Sequence, residues 1–236
     1  MKSIKNWDNK TWLSSKDYIN SFNNFLINNV KLKSKSKILD IGCGRGKILG
    51  DLYTKLKLSS KPIGIDTENH KDKDNKIFFK KSDAVKFLEN DNNFYDLILI
   101  KQTIHLLKMN QIKKLIKLCK KHLSPKGKIF ILTLDYKNNE IPTFELMKKN
   151  LQKSFMRDEK ILEMLKKDNK NTKIKKFIYT VKILKQKYLQ MISDRYISTL
   201  LSFKASEIKK GINEIKLNFD KKIVFKDKLL CLILTK

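Results

Sequence analysis

The chain has 236 residues and a formal charge of +29, from 53 Lys and Arg against 24 Asp and Glu; that length fits one substantial α/β core with an insertion and excludes two large domains. No apolar run nears the ~20 residues of a membrane span, and the opening MKSIKNWDNK lacks the apolar stretch of a secretion signal, so a soluble, cytoplasmic protein without a membrane partner is expected. The charge admits nucleic acid as a partner but does not favour it: only Arg45, Arg157 and Arg195 offer a guanidinium fork, while lysine is spread over nearly every segment beside many Asn and Ile.

In chain order, Tyr18, Phe22, Phe25 and Leu26 mark one face of a helix over Lys16 to Val30. Apolar runs at Lys37 to Ile41, Pro62 to Ile65, Ile77 to Lys80, Tyr95 to Ile100 and Lys128 to Leu134 have the length and composition of buried parallel strands. Helical spacing separates them at Ile48, Leu49, Leu52 and Leu56, and again at Ile112, Leu115, Ile116 and Cys119, with Ser124, Pro125 and Gly127 as stop signals. Strand alternating with helix predicts right-handed crossovers and a doubly wound sheet. From Thr143 to Lys216 no convincing strand is legible, only lysine-rich helical stretches broken at Lys166 to Thr172. The tail IVFKDKLLCLILTK reads as a hairpin of two arms turning at Lys226, Asp227 and Lys228. The expected organisation is a core of residues 1–142 and 217–236, with a lid helix in residues 1–30, and a helical cap over 143–216.

The densest chemistry lies in ILDIGCGRGKIL, residues 38–49. A glycine-rich turn between strand and helix brings backbone N–H groups and a helix N-terminus together on a ligand. A dinucleotide loop would need glycine at 47, where Lys47 stands, and the Walker pattern lacks its GK[ST]. Asp40 decides further, because a carboxylate at the end of the strand repels a pyrophosphate and attracts an ammonium group. A ligand with an amine beside a carboxylate suits both Asp40 and the N–H groups of Gly42, Gly44 and Gly46.

LDIGCGRG resembles motif I of the class I S-adenosylmethionine-dependent methyltransferases, an acidic residue followed by GxGxG. The likeness continues through Asp66 in IGID, 20 residues beyond Gly46, through Ser82-Asp83-Ala84, FYDLILIKQTIHLL and LSPKGKIFILTLD. It implies a Rossmann-like α/β fold with a doubly wound, seven-stranded, mostly parallel sheet closed by an antiparallel hairpin. It implies S-adenosyl-L-methionine as cofactor, with Asp66 on the ribose hydroxyls, Asp83 and Ala84 at the adenine, and Lys101 closing the fourth strand beside the cofactor.

The acceptor has to be read elsewhere. The [DNS]-PP-[YFW] motif of adenine or glutamine methylation is absent, and so is the Pro-Cys of pyrimidine methylation. His105 just past the fourth strand resembles the histidine region of the small-molecule branch, including ubiquinone-pathway and trans-aconitate types, and is the candidate catalytic residue, orienting or deprotonating an acceptor. Arg195 is a candidate for binding a carboxylate through its fork, which tilts the expectation toward an acidic acceptor. Trp7, Trp12, Tyr18, Tyr188 and Tyr196 are candidate pocket aromatics. The expected activity is methyl transfer to a small-molecule carboxylate, thiol, amine or hydroxyl; the alternatives are an RNA or protein methyltransferase and a non-catalytic cofactor-binding module. Cys43, Cys119 and Cys231 are widely spaced and suggest neither a disulfide framework nor a metal site.

Overall fold

A computed structural model describes residues 11–236. Their strands are β1 (Ile38–Ile41), β2 (Ile63–Asp66), β3 (Phe78–Lys81), β4 (Tyr95–Lys101), β5 (Leu123–Leu134), β6 (Lys173–Leu184) and β7 (Lys222–Leu234). They form one sheet in the order β3-β2-β1-β4-β5-β7-β6. The first five run parallel, and β7 is antiparallel to both β5 and β6. The helices are α1 (Lys16–Asn29), α2 (Lys47–Leu56), α3 (Ala84–Glu89), α4 (Met109–Lys121), α5 (Glu145–Lys167), α6 (Lys185–Ser193) and α7 (Ala205–Asn218). No described helix is long and apolar enough to cross a membrane.

Central strands are apolar because both faces are covered. Leu97 and Leu99 of β4 face one core with α1, α2 and α6, while Ile98 and Ile100 face the other with Ile112, Leu115 and Ile116 of α4. All four residues of β1 are buried, and its pairing of Asp40 with Gly64 and Leu99 sets that carboxylate at the C-terminal edge of the sheet. In open α/β sheets ligands sit at that edge, where the strand order reverses between β1 and β4. The stop signal after α4 is also real: the helix ends at Lys121, and the β4–β5 register jumps from Tyr95↔Leu123 to Leu97↔Lys128, leaving Ser124 to Gly127 outside regular pairing.

Two sequence expectations need correction. The stretch 143–216 is not purely helical, because β6 lies inside it and joins the main sheet. The tail is not a hairpin either; Lys226, Asp227 and Lys228 run straight through β7, and its antiparallel partner is β6, paired from Lys173↔Ile233 to Leu184↔Lys222. Both errors have one cause. An edge strand keeps one face wet, so the outward positions of β6 carry Lys176, Thr180 and Lys182 and only Phe177, Val181 and Ile183 are buried. Lys173, Lys175, Lys176 and Lys182 break up the apolar run that marks a buried strand. Phe177 pays back the pairing by packing edge-on against Tyr18 and Phe22 of α1 at 5.6 and 5.1 Å between ring centres.

Candidate functional site

The glycine loop is built from the end of β1 into α2. Gly42 and Cys43 both donate to the Ile65 carbonyl, at 2.8 and 3.1 Å, and Gly46 donates to the Cys43 carbonyl at 2.9 Å. Gly46 is the N-cap of α2 in the left-handed region. Gly42 and Gly44 also have positive φ, +75° and +56°, but their surroundings differ. A β-carbon at Gly42 would lie 2.2 Å from Thr103 Oγ1, whereas at Gly44 nothing lies within 4 Å. Gly42 is therefore glycine for packing, and Gly44 faces open space, as a backbone that approaches a ligand must. Cys43 has no chemical role in this arrangement, since burial pushes its thiol far up. Arg45 is buried in the same loop, and its carbonyl accepts from Asp74 N at 2.9 Å.

Three carboxylates border the loop. Asp40 is 4% exposed, and its Oδ1 has no hydrogen-bond partner among the described residues. Burial pushes it up to about 7, against the opposing pull of Lys101 and with a further push from Asp66. Asp66, at the end of β2, accepts from Gly44 N at 2.9 Å on Oδ2 and from Glu68 N at 3.0 Å on Oδ1, with His70 Nε2 3.5 Å away. Burial raises it, but these hydrogen bonds outweigh that and hold it below the usual carboxylate range. Asp83 is the N-cap of α3: its Oδ1 accepts from Val85 N and Lys86 N at 2.9 and 3.1 Å, and Ala84 begins the helix.

A second cluster lies at the same edge of the sheet. Lys101, closing β4, places Nζ 5.4 Å from the ring centres of both Tyr18 and Phe22 and 3.0 Å from Gln102 Oε1. Its charge acts on Asp40 and also on Asp227 of β7. Asp227 is 1% exposed; Trp12 Nε1 donates to its Oδ2 at 2.9 Å, and its Oδ1 has no partner among the described residues. The Tyr18 hydroxyl lies beside this carboxylate. Burial pushes the Asp227 carboxyl up, opposed by Trp12, Lys101 and Tyr18. Trp12 meets Tyr196 and Phe225 edge-on at 5.4 and 5.2 Å, and the Tyr196 and Tyr188 hydroxyls are 2.9 Å apart.

The structure thus gathers the expected residues Trp12, Tyr18, Lys101 and Tyr196 around a carboxylate that sequence reasoning had put in a turn. A signal for Asp227 exists in the alternation of β7. Ile223, Phe225, Leu229 and Cys231 point inward, and Asp227 stands in the same phase, which no solvated turn residue would. His105 and Arg195 have other partners. His105, half-buried on the short 3₁₀ turn Ile104–Leu106, is held down to about 4 by burial and by Arg157, whose Nη2 donates to the Leu107 carbonyl at 2.7 Å. Arg195 has a positive φ of 56° and donates from Nη1 to the Leu200 carbonyl, closing the loop after α6. Trp7 lies outside the described residues.

The model of a family described as a methyltransferase domain matches residues 17–172. Phosphoethanolamine N-methyltransferase of Plasmodium falciparum is 32% identical over 114 residues, which is 45% of this chain and 42% of that protein, so the match spans less than half of that relative's length. Among solved structures, a proposed methyltransferase from an antibiotic biosynthesis pathway of Anabaena variabilis superposes with a TM-score of 0.61 at 15% identity, covering 91% of this chain and 96% of the other. An S-adenosylmethionine-dependent methyltransferase of Thiobacillus denitrificans, solved with S-adenosyl-L-homocysteine, gives 0.52 at 13% identity over 93% and 90%.

Proposed function

The chain belongs to the methyltransferase-domain family, the class I S-adenosylmethionine-dependent methyltransferases, and on that premise we propose that it transfers a methyl group to a small-molecule acceptor bound beside Lys101. The observation that carries this reading is the pairing of an orphaned, buried carboxylate at Asp40 with open space at Gly44. An amino acid's ammonium suits the first, and its backbone-hugging chain suits the second.

Asp40 would hold the ammonium of S-adenosylmethionine, the N–H groups of the glycine loop its carboxylate, Asp66 its ribose and the Asp83–Ala84 turn its adenine. When bound, the cofactor supplies a methyl group already activated on a sulfonium. The protein's tasks are then to align an acceptor lone pair and to exclude water. The buried cluster of Trp12, Tyr18 and Tyr196 excludes water, and Lys101 lies between that cluster and Asp40. The closed, aromatic character of this cluster favours a small acceptor over RNA or protein.

Calorimetric titration with S-adenosyl-L-homocysteine tests the cofactor half. Micromolar binding is expected, and no binding up to millimolar ligand would overturn the proposal. Burial and Arg157 hold His105 down to about 4, so its imidazole is free to accept a proton at neutral pH but is a weak base. His105→Ala is expected to leave cofactor affinity intact and to lower kcat less than about tenfold, because a positioned base contributes roughly a hundredfold or more. A drop beyond that would put the imidazole back at the reacting atoms.

A further inference from the structure

β6 ends the sheet, four strands away from the β1 that carries the glycine loop, and among the described residues no strand pairs with its outer edge over its 12 residues. Proteins blunt such an edge with charge, and here the charge is lysine: Lys173, Lys175, Lys176 and Lys182 stand in β6 with no acidic residue between them. Blunting alone does not account for the apolar side chains on the outward face. Ile174, Ile178 and Leu184 share one phase of the strand and are 46%, 50% and 59% exposed, and Val224 of β7, opposite Lys182, is 61% exposed. A face of mixed apolar and basic residues beside an unpaired backbone suits an incoming strand better than it suits water.

We propose that β6 is a docking strand, which takes up an acidic, extended segment of another protein as a further strand of the sheet. Charge complementarity selects this occupant. A second copy of β6 would set lysine against lysine. An anionic membrane would meet Asp135 and Glu140, which hold Lys176 at 3.4 Å and Lys228 beside this face, and it gives the N–H and C=O groups of the edge no ladder to join. An acidic strand answers each part: backbone pairs with backbone, carboxylates face lysines, and apolar side chains at every second position meet Ile174 and Ile178. Of the four β6 lysines only Lys176 makes an ion pair among the described residues, which leaves Lys173, Lys175 and Lys182 to the partner. The segment is a partner and not the methyl acceptor, so the inference stands apart from the methyltransferase reading.

The test uses the full chain and synthetic peptides of about nine residues, roughly the length of a long strand. One alternates Glu and Val, one alternates Lys and Val, and one alternates Glu and Pro, which keeps the charge but cannot pair as a strand. Calorimetry at low salt should give a dissociation constant of about 100 μM or below for the Glu-Val peptide and values about tenfold or more weaker for the other two. Binding should weaken about tenfold in roughly 0.5 M salt, and amide exchange should slow along β6 when the peptide is present. Lys173→Glu, Lys175→Glu and Lys182→Glu together should reverse the preference from the acidic to the basic peptide. Ile178→Thr, a single exposed change, should weaken the acidic peptide about threefold without lowering the melting temperature. No binding of the Glu-Val peptide up to millimolar, equal binding of the acidic and basic peptides, equal binding of the proline peptide, or protection confined to other strands would overturn the docking strand. So would a dimer in sedimentation whose contact slows exchange along β6, or binding to phosphatidylserine vesicles that the Glu-Val peptide fails to displace and that is lost in the triple variant.

Discussion

Asp40→Asn is expected to melt at a higher temperature than the wild-type chain in the absence of ligand and to bind the cofactor about a hundredfold more weakly. The stability gain follows from burial. A carboxyl moved from 3.8 to about 7 in the folded chain costs roughly 4 kcal/mol when forced to ionise. The sign follows from proton counting. Between about pH 4 and pH 7 the folded chain holds the proton that the unfolded chain has lost, so stability contributed by this group declines as pH rises through that window and is level above it. Asparagine removes the charge and should recover about 2 kcal/mol at neutral pH, the remainder being lost to an amide with unmet donors. Denaturant titration at neutral pH reads this directly. Cofactor affinity moves the other way, because the ammonium loses a buried, charge-assisted partner. Wild-type affinity should also weaken below about pH 7, since binding must expel the Asp40 proton. Calorimetry in two buffers of different ionisation enthalpy would show that proton leaving. A dissociation constant independent of pH across that window would place the ammonium elsewhere.

The glycines of the same loop should separate folding from binding. Gly44→Ala meets no atom within 4 Å, so its cost to the free protein is the left-handed backbone alone, about 1 kcal/mol. Its methyl group enters the space assigned to the ligand, and cofactor affinity should fall about a hundredfold or more. Gly42→Ala carries the same backbone strain and adds a collision at 2.2 Å with Thr103 Oγ1, so it should lose about 3 kcal/mol of stability. Thermal melting and cofactor titration on both variants suffice. A Gly44→Ala protein with wild-type affinity would mean that the open side of the loop is not the ligand side.

The glycine loop and the carboxylates beside it were legible in the sequence because their signals are local. Strand, glycine turn, Asp40 and Asp66 follow one another within a single crossover, and each choice of residue is forced by backbone conformation or by charge. The cluster around Asp227 was hidden because its parts meet only after folding: Trp12 and Tyr18 precede the sheet, Lys101 ends β4, Tyr196 follows α6 and Asp227 sits in β7. Asp227 was misread for a further reason. Flanked by Lys226 and Lys228, it looks like a solvated turn, and only the buried phase of the strand, with Phe225 and Leu229 on the same face, distinguishes it. Arg195 has a local role that the sequence does not show: the left-handed residue after α6 donates from its side chain to the Leu200 carbonyl.

The position of β7 has a consequence for how the molecule is made. β7 follows β6 in the sequence but lies between β5 and β6 in the sheet, so β6 leaves the ribosome before the strand that will join it to the sheet exists. Until β7 emerges, β5 presents an unpaired edge and β6 is an isolated ribbon, a situation that invites pairing with other chains. The lysines at Lys173, Lys175, Lys176 and Lys182 then act as guards of a waiting strand: their mutual repulsion discourages two nascent β6 segments from finding each other first.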